Sequence, residues 1–160
     1  MDEKNVVKLN ELLVSVYDDI EVIETKSLQS GAFKDLSITE IHTIEAIGLK
    51  GEKSMSEIAA SLDITTGTLT TAIDKLIKKE YVVRNRSAVD RRIVYIALTK
   101  KGKLAYRIHE SFHYKIVRNV MLDLTDEECQ SLIKGLNSLN KYLKKVSAQI
   151  DEKAGEKKNE

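Results

Sequence analysis

The 160-residue chain contains no proline, no tryptophan, one cysteine and only seven glycines. With so few residues that break a helix, and with Ala, Leu, Ile, Glu and Lys abundant, the composition predicts a mainly α fold with long uninterrupted helices. The lone thiol, Cys129, has no partner for an internal disulfide, which fits a reducing compartment and a helix-core position. No stretch of eighteen apolar residues occurs, and the start Met1-Asp2-Glu3-Lys4-Asn5 lacks a basic segment followed by an apolar one. A cytoplasmic chain with no membrane partner is therefore expected. Missing too are the G-x-x-x-x-G-K-[ST] and G-x-S-x-G motifs and any pairing of a nucleophile with a base, so an enzyme is not expected.

What the chain does have is a 42% hydrophobic content, enough for a globular protein, and a strongly uneven distribution of charge. Residues 1 to 63 carry 6 Lys/Arg against 13 Asp/Glu, residues 64 to 103 carry 10 against 3, and the remainder carries 10 against 9. The net charge of +1 thus hides a basic island in the middle of the chain. Such an island suits a surface that neutralises phosphates, with a solvated charged face as the ordinary alternative.

Periodicity divides the chain into elements. Leu9, Leu13, Val16, Ile20 and Ile23 fall on one stripe of a long N-terminal helix, which Gly31 interrupts. Ser37-Ile38-Thr39-Glu40 and Ser54-Met55-Ser56-Glu57 each read as a capping box opening a helix, the second of them short. Thr65 can cap the next helix, with Leu69, Ala72, Ile73, Leu76 and Ile77 on its inner face; two short helices joined by a tight turn suggest a helix-turn-helix. From Tyr81 to Arg84 and from Arg92 to Leu98 the pattern turns β-branched and aromatic, predicting two antiparallel strands whose long connecting loop projects as a wing. Thr99 and the box Thr125-Asp126-Glu127-Glu128 start the last two helices, and Cys129, Leu132, Leu136, Leu139, Leu143, Val146 and Ile150 form a seam of 3.5-residue period.

The expected fold is a winged helix-turn-helix of six helices plus a two-stranded hairpin, dimerising through the terminal helices. One globular unit would comprise an N-terminal dimerisation helix (1–30), a DNA-binding region (31–100), C-terminal linker and dimerisation helices (101–150) and a disordered tail (151–160). The dimer seam would use Leu9, Leu13, Val16 and Ile20 with Leu132, Leu136, Leu139, Leu143 and Val146.

The chemistry of the basic island points to duplex DNA. Thr65, Thr66, Gly67, Thr68, Thr70, Thr71 and Lys75 form a recognition helix whose short hydroxyls suit a crowded groove. Threonine is a mediocre helix former, so five in seven positions are poorly explained by helix stability. Gly67 lets that helix approach a phosphate closely. Arg84, Arg86, Arg91 and Arg92 surround Asp90 in the wing, where guanidinium suits the minor groove and the carboxylate orients an arginine. Lys78, Lys100 and Lys101 are expected to contact phosphates. His109 and His113 have a spacing that can hold a metal, but no third ligand is identifiable, so neither a metal nor a cofactor is expected and the pair is assigned to a core or tunnel lining.

The block Asp90-Arg91-Arg92-Ile93-Val94-Tyr95-Ile96-Ala97-Leu98-Thr99-Lys100-Lys101-Gly102 resembles the wing signature of MarR-type regulators. That resemblance implies a dimer built from terminal helices, with recognition helices in successive major grooves of a palindrome and wings in flanking minor grooves. Phe33-Lys34-Asp35-Leu36-Ser37-Ile38, His42-Thr43-Ile44, Thr66-Gly67-Thr68-Leu69-Thr70-Thr71, His109 and Phe112-His113 are similar to the branch that represses bacterial type II fatty-acid synthesis. For that branch the resemblance implies acyl-acyl carrier protein as co-repressor, its acyl chain buried in the repressor. Candidate tunnel residues are Phe33, Ile41, His42, Ile108, His109 and Phe112. Two other functions stay open: a repressor released by a small aromatic or drug-like ligand, and a winged-helix protein-interaction module, which should expose an apolar patch where Thr65 to Lys79 shows none.

Overall fold

The structure, a computed structural model, describes residues 2–86 and 94–156, with side chains described to residue 150. In chain order the elements are α1 (Glu3–Ser30), α2 (Ile38–Ile47), β1 (Lys53–Ser54), α3 (Met55–Ser61), α4 (Thr66–Lys78), β2 (Val82–Arg86), β3 (Val94–Leu98), α5 (Lys100–Leu122) and α6 (Asp126–Glu156). The mainly α winged-helix class expected from the sequence is what forms. The chain divides into two compact units, Met1–Ser111 and Phe112–Glu160, where one was expected.

The caps set the helix starts. Ser37 Oγ accepts from the Glu40 amide while a Glu40 carboxylate oxygen accepts from the Ser37 amide, at 3.2 and 2.8 Å. The same reciprocal pair recurs at Ser54 and Glu57 and at Thr125 and Glu128. Each satisfies two otherwise orphan donors, worth about 1 kcal/mol per cap.

The sheet differs from the expected hairpin. It has three antiparallel strands in the order β1-β3-β2, with Lys53 opposite Ile96 and Ser54 opposite Tyr95. A two-residue strand is too short to show alternation, and Ser54 doubles as the cap of α3, so this segment reads as loop in sequence. Between β2 and β3 the register pairs Val82 with Leu98 and Arg86 with Val94.

The core of the first unit sits where α2, α3, α4 and the sheet meet. Ile41, Ile44, Ile47, Ile58, Leu69, Ile73, Leu76 and Ile96 are all at most 1% exposed. Each such side chain contributes about 1.5–3 kcal/mol on burial, so this cluster dominates the unit's stability. The residue that α1 buries is Glu24, whereas its seam residues Leu9, Leu13, Val16 and Ile20 are exposed. In the second unit Cys129 is buried, Leu132, Leu136 and Leu143 are exposed, and Leu139 and Val146 are half-buried. Helix α6 continues to Glu156, into the segment expected to be disordered: Lys, Glu and Ala are good helix formers, so a polar composition does not by itself end a helix.

The start of α5 is fixed by contact rather than propensity. A Cβ on Gly102 would stand 2.1 Å from the carbonyl oxygen of Tyr81, so only glycine lets α5 lie this close to the end of α4. Gly102→Ala should therefore cost at least the ~1–3 kcal/mol of an overpacked core, read as a fall of several degrees in Tm by calorimetry. An unchanged Tm would contradict this close approach.

Candidate nucleic-acid interface

The exposed face of α4 is built by its buried one. Leu69, Ile73 and Leu76, all 0% exposed, anchor the helix against α2 and α3, which leaves Thr66, Gly67, Thr68, Thr70, Thr71, Lys75 and Lys78 on the surface. The preceding turn is tight: Asp63 takes φ +54°, and the Ile64 amide bonds the Ala59 carbonyl at 3.1 Å. Thr65 then caps α4, its hydroxyl oxygen accepting from the Thr68 amide at 3.1 Å and lying 2.9 Å from the Thr68 hydroxyl. The Thr70 hydroxyl donates to the Thr66 carbonyl at 2.7 Å. The Thr66 and Gly67 amides, in the first turn, have no carbonyl one turn earlier to bond. With the helix dipole they make this end suited to an anion.

Arg84 has a different position from that of a free wing contact. Its guanidinium lies 2.8 Å from the Asp74 carboxylate, bracing β2 against α4 and neutralising an acid beside the threonine face. Arg86, at the end of β2, is exposed. Asp90, Arg91 and Arg92 lie outside the described residues. Lys100 and Lys101 are both exposed at the start of α5, and Lys101 also holds partners in the fold: it donates to the Lys79 carbonyl at 3.0 Å, lies 3.7 Å from Asp35 and sits 4.1 Å over the Tyr81 ring.

Lys101 belongs to a polar lock behind the interface. Lys79 Nζ bonds both Glu40 carboxylate oxygens, at 2.8 and 2.7 Å, and the Asp35 carbonyl. The Tyr81 hydroxyl donates to Asp35 at 2.7 Å. Thr99 completes it, its amide donating to the Tyr81 carbonyl at 3.0 Å and its hydroxyl oxygen accepting from the Gly102 amide at 3.0 Å. Burial raises the Asp35 carboxyl, but the Tyr81 hydroxyl and the Lys101 and Lys79 charges outweigh it and hold it below its ordinary value. Glu40 follows the same pattern, burial being overcome by the bond from Lys79 and the Ser37 amide. The Tyr81 hydroxyl is pushed far up by burial and by its bond to Asp35.

Among the candidate tunnel residues, Phe33 and Ile41 are in the hydrophobic core, Phe33 edge-on to Tyr81 with ring centroids 6.0 Å apart. Ile108 is half exposed, at 50%. His42 and His109 converge on Glu24, with Nε2 at 2.9 and 3.0 Å from the same carboxylate oxygen. Phe112 lies in the second unit, edge-on to His113 with centroids 5.2 Å apart. Sequence reasoning missed Glu24 and Glu45. The available signal was position: Glu24 follows Ile20 by four on the apolar stripe of α1, and Glu45 follows His42 by three on α2.

The MarR family profile matches residues 36–94, from the start of α2 through both helices of the helix-turn-helix to the start of β3. Streptococcus pneumoniae FabT, solved in complex with DNA, is 38% identical, superposes with a TM-score of 0.84, and is matched over 88% of this chain and 99% of its own. The Bacillus subtilis HTH-type transcriptional regulator YpoP is 30% identical over 111 residues, 68% of this chain and 77% of YpoP. The chain belongs to the MarR family. It is a DNA-binding transcriptional regulator and not an enzyme. A Bacillus stearothermophilus MarR family protein, 19% identical with a TM-score of 0.73 over 90% of this chain, shares the fold.

The polar lock gives this MarR regulator a definite acid response. A carboxyl held low by the fold contributes stability that is complete above its unfolded value, about 4 for Asp and Glu, and lost as pH falls through the folded one. Glu40→Gln keeps the cap but removes the charge that holds Lys79. It should lower Tm at pH 7, with the gap to the unaltered protein closing as pH drops below about 4. A gap independent of pH in thermal melts would show that the Lys79–Glu40 charge pair does not carry the effect.

Proposed function

We propose that the protein is a homodimeric repressor of type II fatty-acid synthesis genes whose DNA affinity is raised by acyl-acyl carrier protein. The observation that carries this reading is the likeness to pneumococcal FabT, spanning 99% of that chain at 38% identity. It is supported by the sequence resemblance to the fatty-acid-synthesis branch between Phe33 and His113. The exposed apolar residues of α1 and α6 supply the homodimer: Leu9, Leu13, Val16 and Ile20 are 36–69% exposed and Leu132, Leu136 and Leu143 are 42–55% exposed, more unsatisfied apolar surface than a lone helix keeps in water. Pairing two copies along these seams removes it.

On duplex DNA, α4 enters the major groove with Thr66, Thr68, Thr70, Thr71 and Lys75 at base edges and phosphates. Thr65 and Gly67 shape the first turn of α4 against a phosphate, with Lys78 and Lys100 on the flanking backbone. Arg86, Arg91 and Arg92 enter the minor groove, Asp90 orienting an arginine, while Arg84 holds the wing to α4. Two-fold symmetry puts half-sites about one helical turn, ~10 bp, apart. The acyl chain lies along Phe33, Ile41, His42, Ile108, His109 and Phe112, which requires the core around Phe33 and Ile41 to open.

Three measurements test this. The affinity for a palindromic operator should fall steeply with salt, and Lys78→Ala should flatten the slope of log K against log salt by about 1; a slope near zero would remove the phosphate-neutralising surface. Gly67→Ala, whose new Cβ would lie 3.7 Å from the Thr65 hydroxyl in ordinary contact, should keep or raise Tm while weakening operator binding several-fold. Acyl-acyl carrier protein should tighten a gel shift that carrier protein without an acyl chain does not. Release by a small aromatic molecule, with no response to acyl carrier protein, would replace this co-repressor by the drug-like alternative.

A further inference from the structure

The five threonines at the start of α4 are not equivalent as hydrogen-bond donors. The Thr65 and Thr68 hydroxyls face each other at 2.9 Å across the cap, and the Thr68 amide donates to Thr65 Oγ1 at 3.1 Å. Thr70 commits its one hydroxyl proton to the Thr66 carbonyl, at 2.7 Å. Thr66 and Thr71 keep hydroxyls with no intramolecular hydrogen bond among the described residues. A threonine hydroxyl carries a single proton, so Thr70 has none left to give to a base. The same bond holds Oγ1 back against the turn that contains Thr66, and the other branch on Cβ is a methyl group. From this division we infer that Thr70 is a specificity-determining residue that reads a thymine through its methyl group, packing against the thymine C5 methyl in place of a hydrogen bond at that base pair. This role rests on α4 entering the major groove, as proposed above.

The neighbouring glycine leaves room for such a contact. Side chains on a helix lean toward its N-terminus, so Thr70 projects over the turn that holds Thr66 and Gly67. Gly67 adds no side chain to that turn. Beyond its chain neighbours, a Cβ there would meet a single side chain within 4 Å among the described residues, the Thr65 hydroxyl at 3.7 Å. Thr70 therefore borders an open notch on the exposed face of α4, and the buried Leu69 and Ile73, both 0% exposed, fix the rotation of the helix that presents it. Of the four bases, thymine alone carries a methyl group into the major groove, so an apolar wall on this notch favours it over cytosine, which leaves the notch empty. The competing chemistry has Oγ1 accepting from an adenine or cytosine amino group. That needs the hydroxyl and not the methyl, so the two branches of the side chain can be tested apart.

The probe is a duplex selected by the full-length protein from a randomised pool, with copies in which thymines are replaced by deoxyuridine at symmetric positions, one pair at a time. Deoxyuridine keeps the base pairing and the O4 acceptor and lacks only the C5 methyl. One such pair should weaken the unaltered protein about fourfold per half-site, the value of one buried methyl group. Thr70→Ser keeps the bond to Thr66 and deletes the methyl. It should bind the thymine duplex more weakly by the same factor and be indifferent to that deoxyuridine. Thr70→Val keeps a methyl and deletes the hydroxyl, and should retain both the affinity and the response to deoxyuridine. Position 70 is exposed, so both variants should keep the fold by circular dichroism. Neither should change the slope of log K against log salt, because no phosphate contact is removed. Loss of affinity in Thr70→Val with none in Thr70→Ser would overturn the inference in favour of the hydroxyl, with α4 still in the groove. A response to that deoxyuridine surviving in Thr70→Ser would overturn it as well. If Lys75→Ala and both Thr70 variants bind as the unaltered protein does, the placing of α4 in the groove fails, and the reading of thymine with it.

Discussion

Tyr81 is the residue through which α4, β2 and the start of α5 are held to one another. Its amide bonds the Leu76 carbonyl at 2.9 Å, closing the end of α4 with Glu80 in the left-handed region at φ +64°. Its carbonyl accepts from Thr99 and lies against Gly102 at the start of α5, its ring carries Phe33 and Lys101, and its hydroxyl reaches Asp35. Immediately after it β2 begins. Helix α4, strand β2 and the start of α5 are therefore indexed to one fully buried side chain, and the exposed threonine face of α4 depends on that indexing for its angle.

This arrangement explains how the basic island is spent. Of its ten cations, Lys79, Arg84 and Lys101 are tied to Glu40, Asp74 and Asp35, so they rigidify the scaffold behind the interface. Lys75, Lys78, Arg86, Lys100 and Lys103 are exposed with no such ion pair among the described residues, and Arg91 and Arg92 lie outside those residues. Asp35 and Glu40 come from the acidic N-terminal stretch, so part of the charge segregation seen along the chain is an internal pairing of its two halves.

What the sequence made legible follows from range. Capping boxes, helix periods and the wing block are local patterns, and Ser37, Ser54, Thr65, Thr99 and Thr125 start helices where those patterns put them. What it concealed is tertiary. Strand β1 exists because β3 pairs with it, Gly102 is glycine because a carbonyl lies where its Cβ would be, and Lys101 lies against Tyr81 and Asp35, which are far from it in sequence. Counting lysines in a run cannot tell a phosphate contact from a scaffold contact; only the position of acids and aromatic faces across the fold does that.

The same distinction applies to Glu24. A charged residue on the edge of an apolar stripe looks, in one dimension, like noise in the heptad. In the fold it is the point where α1 is pinned by imidazoles from α2 and α5, while the leucines on the preceding turns stay exposed. A helix pinned at one end by polar contacts and open along its apolar side has its direction fixed by the domain that carries α4. Any second copy seated on that open side would meet a helix whose direction is set from within the first unit.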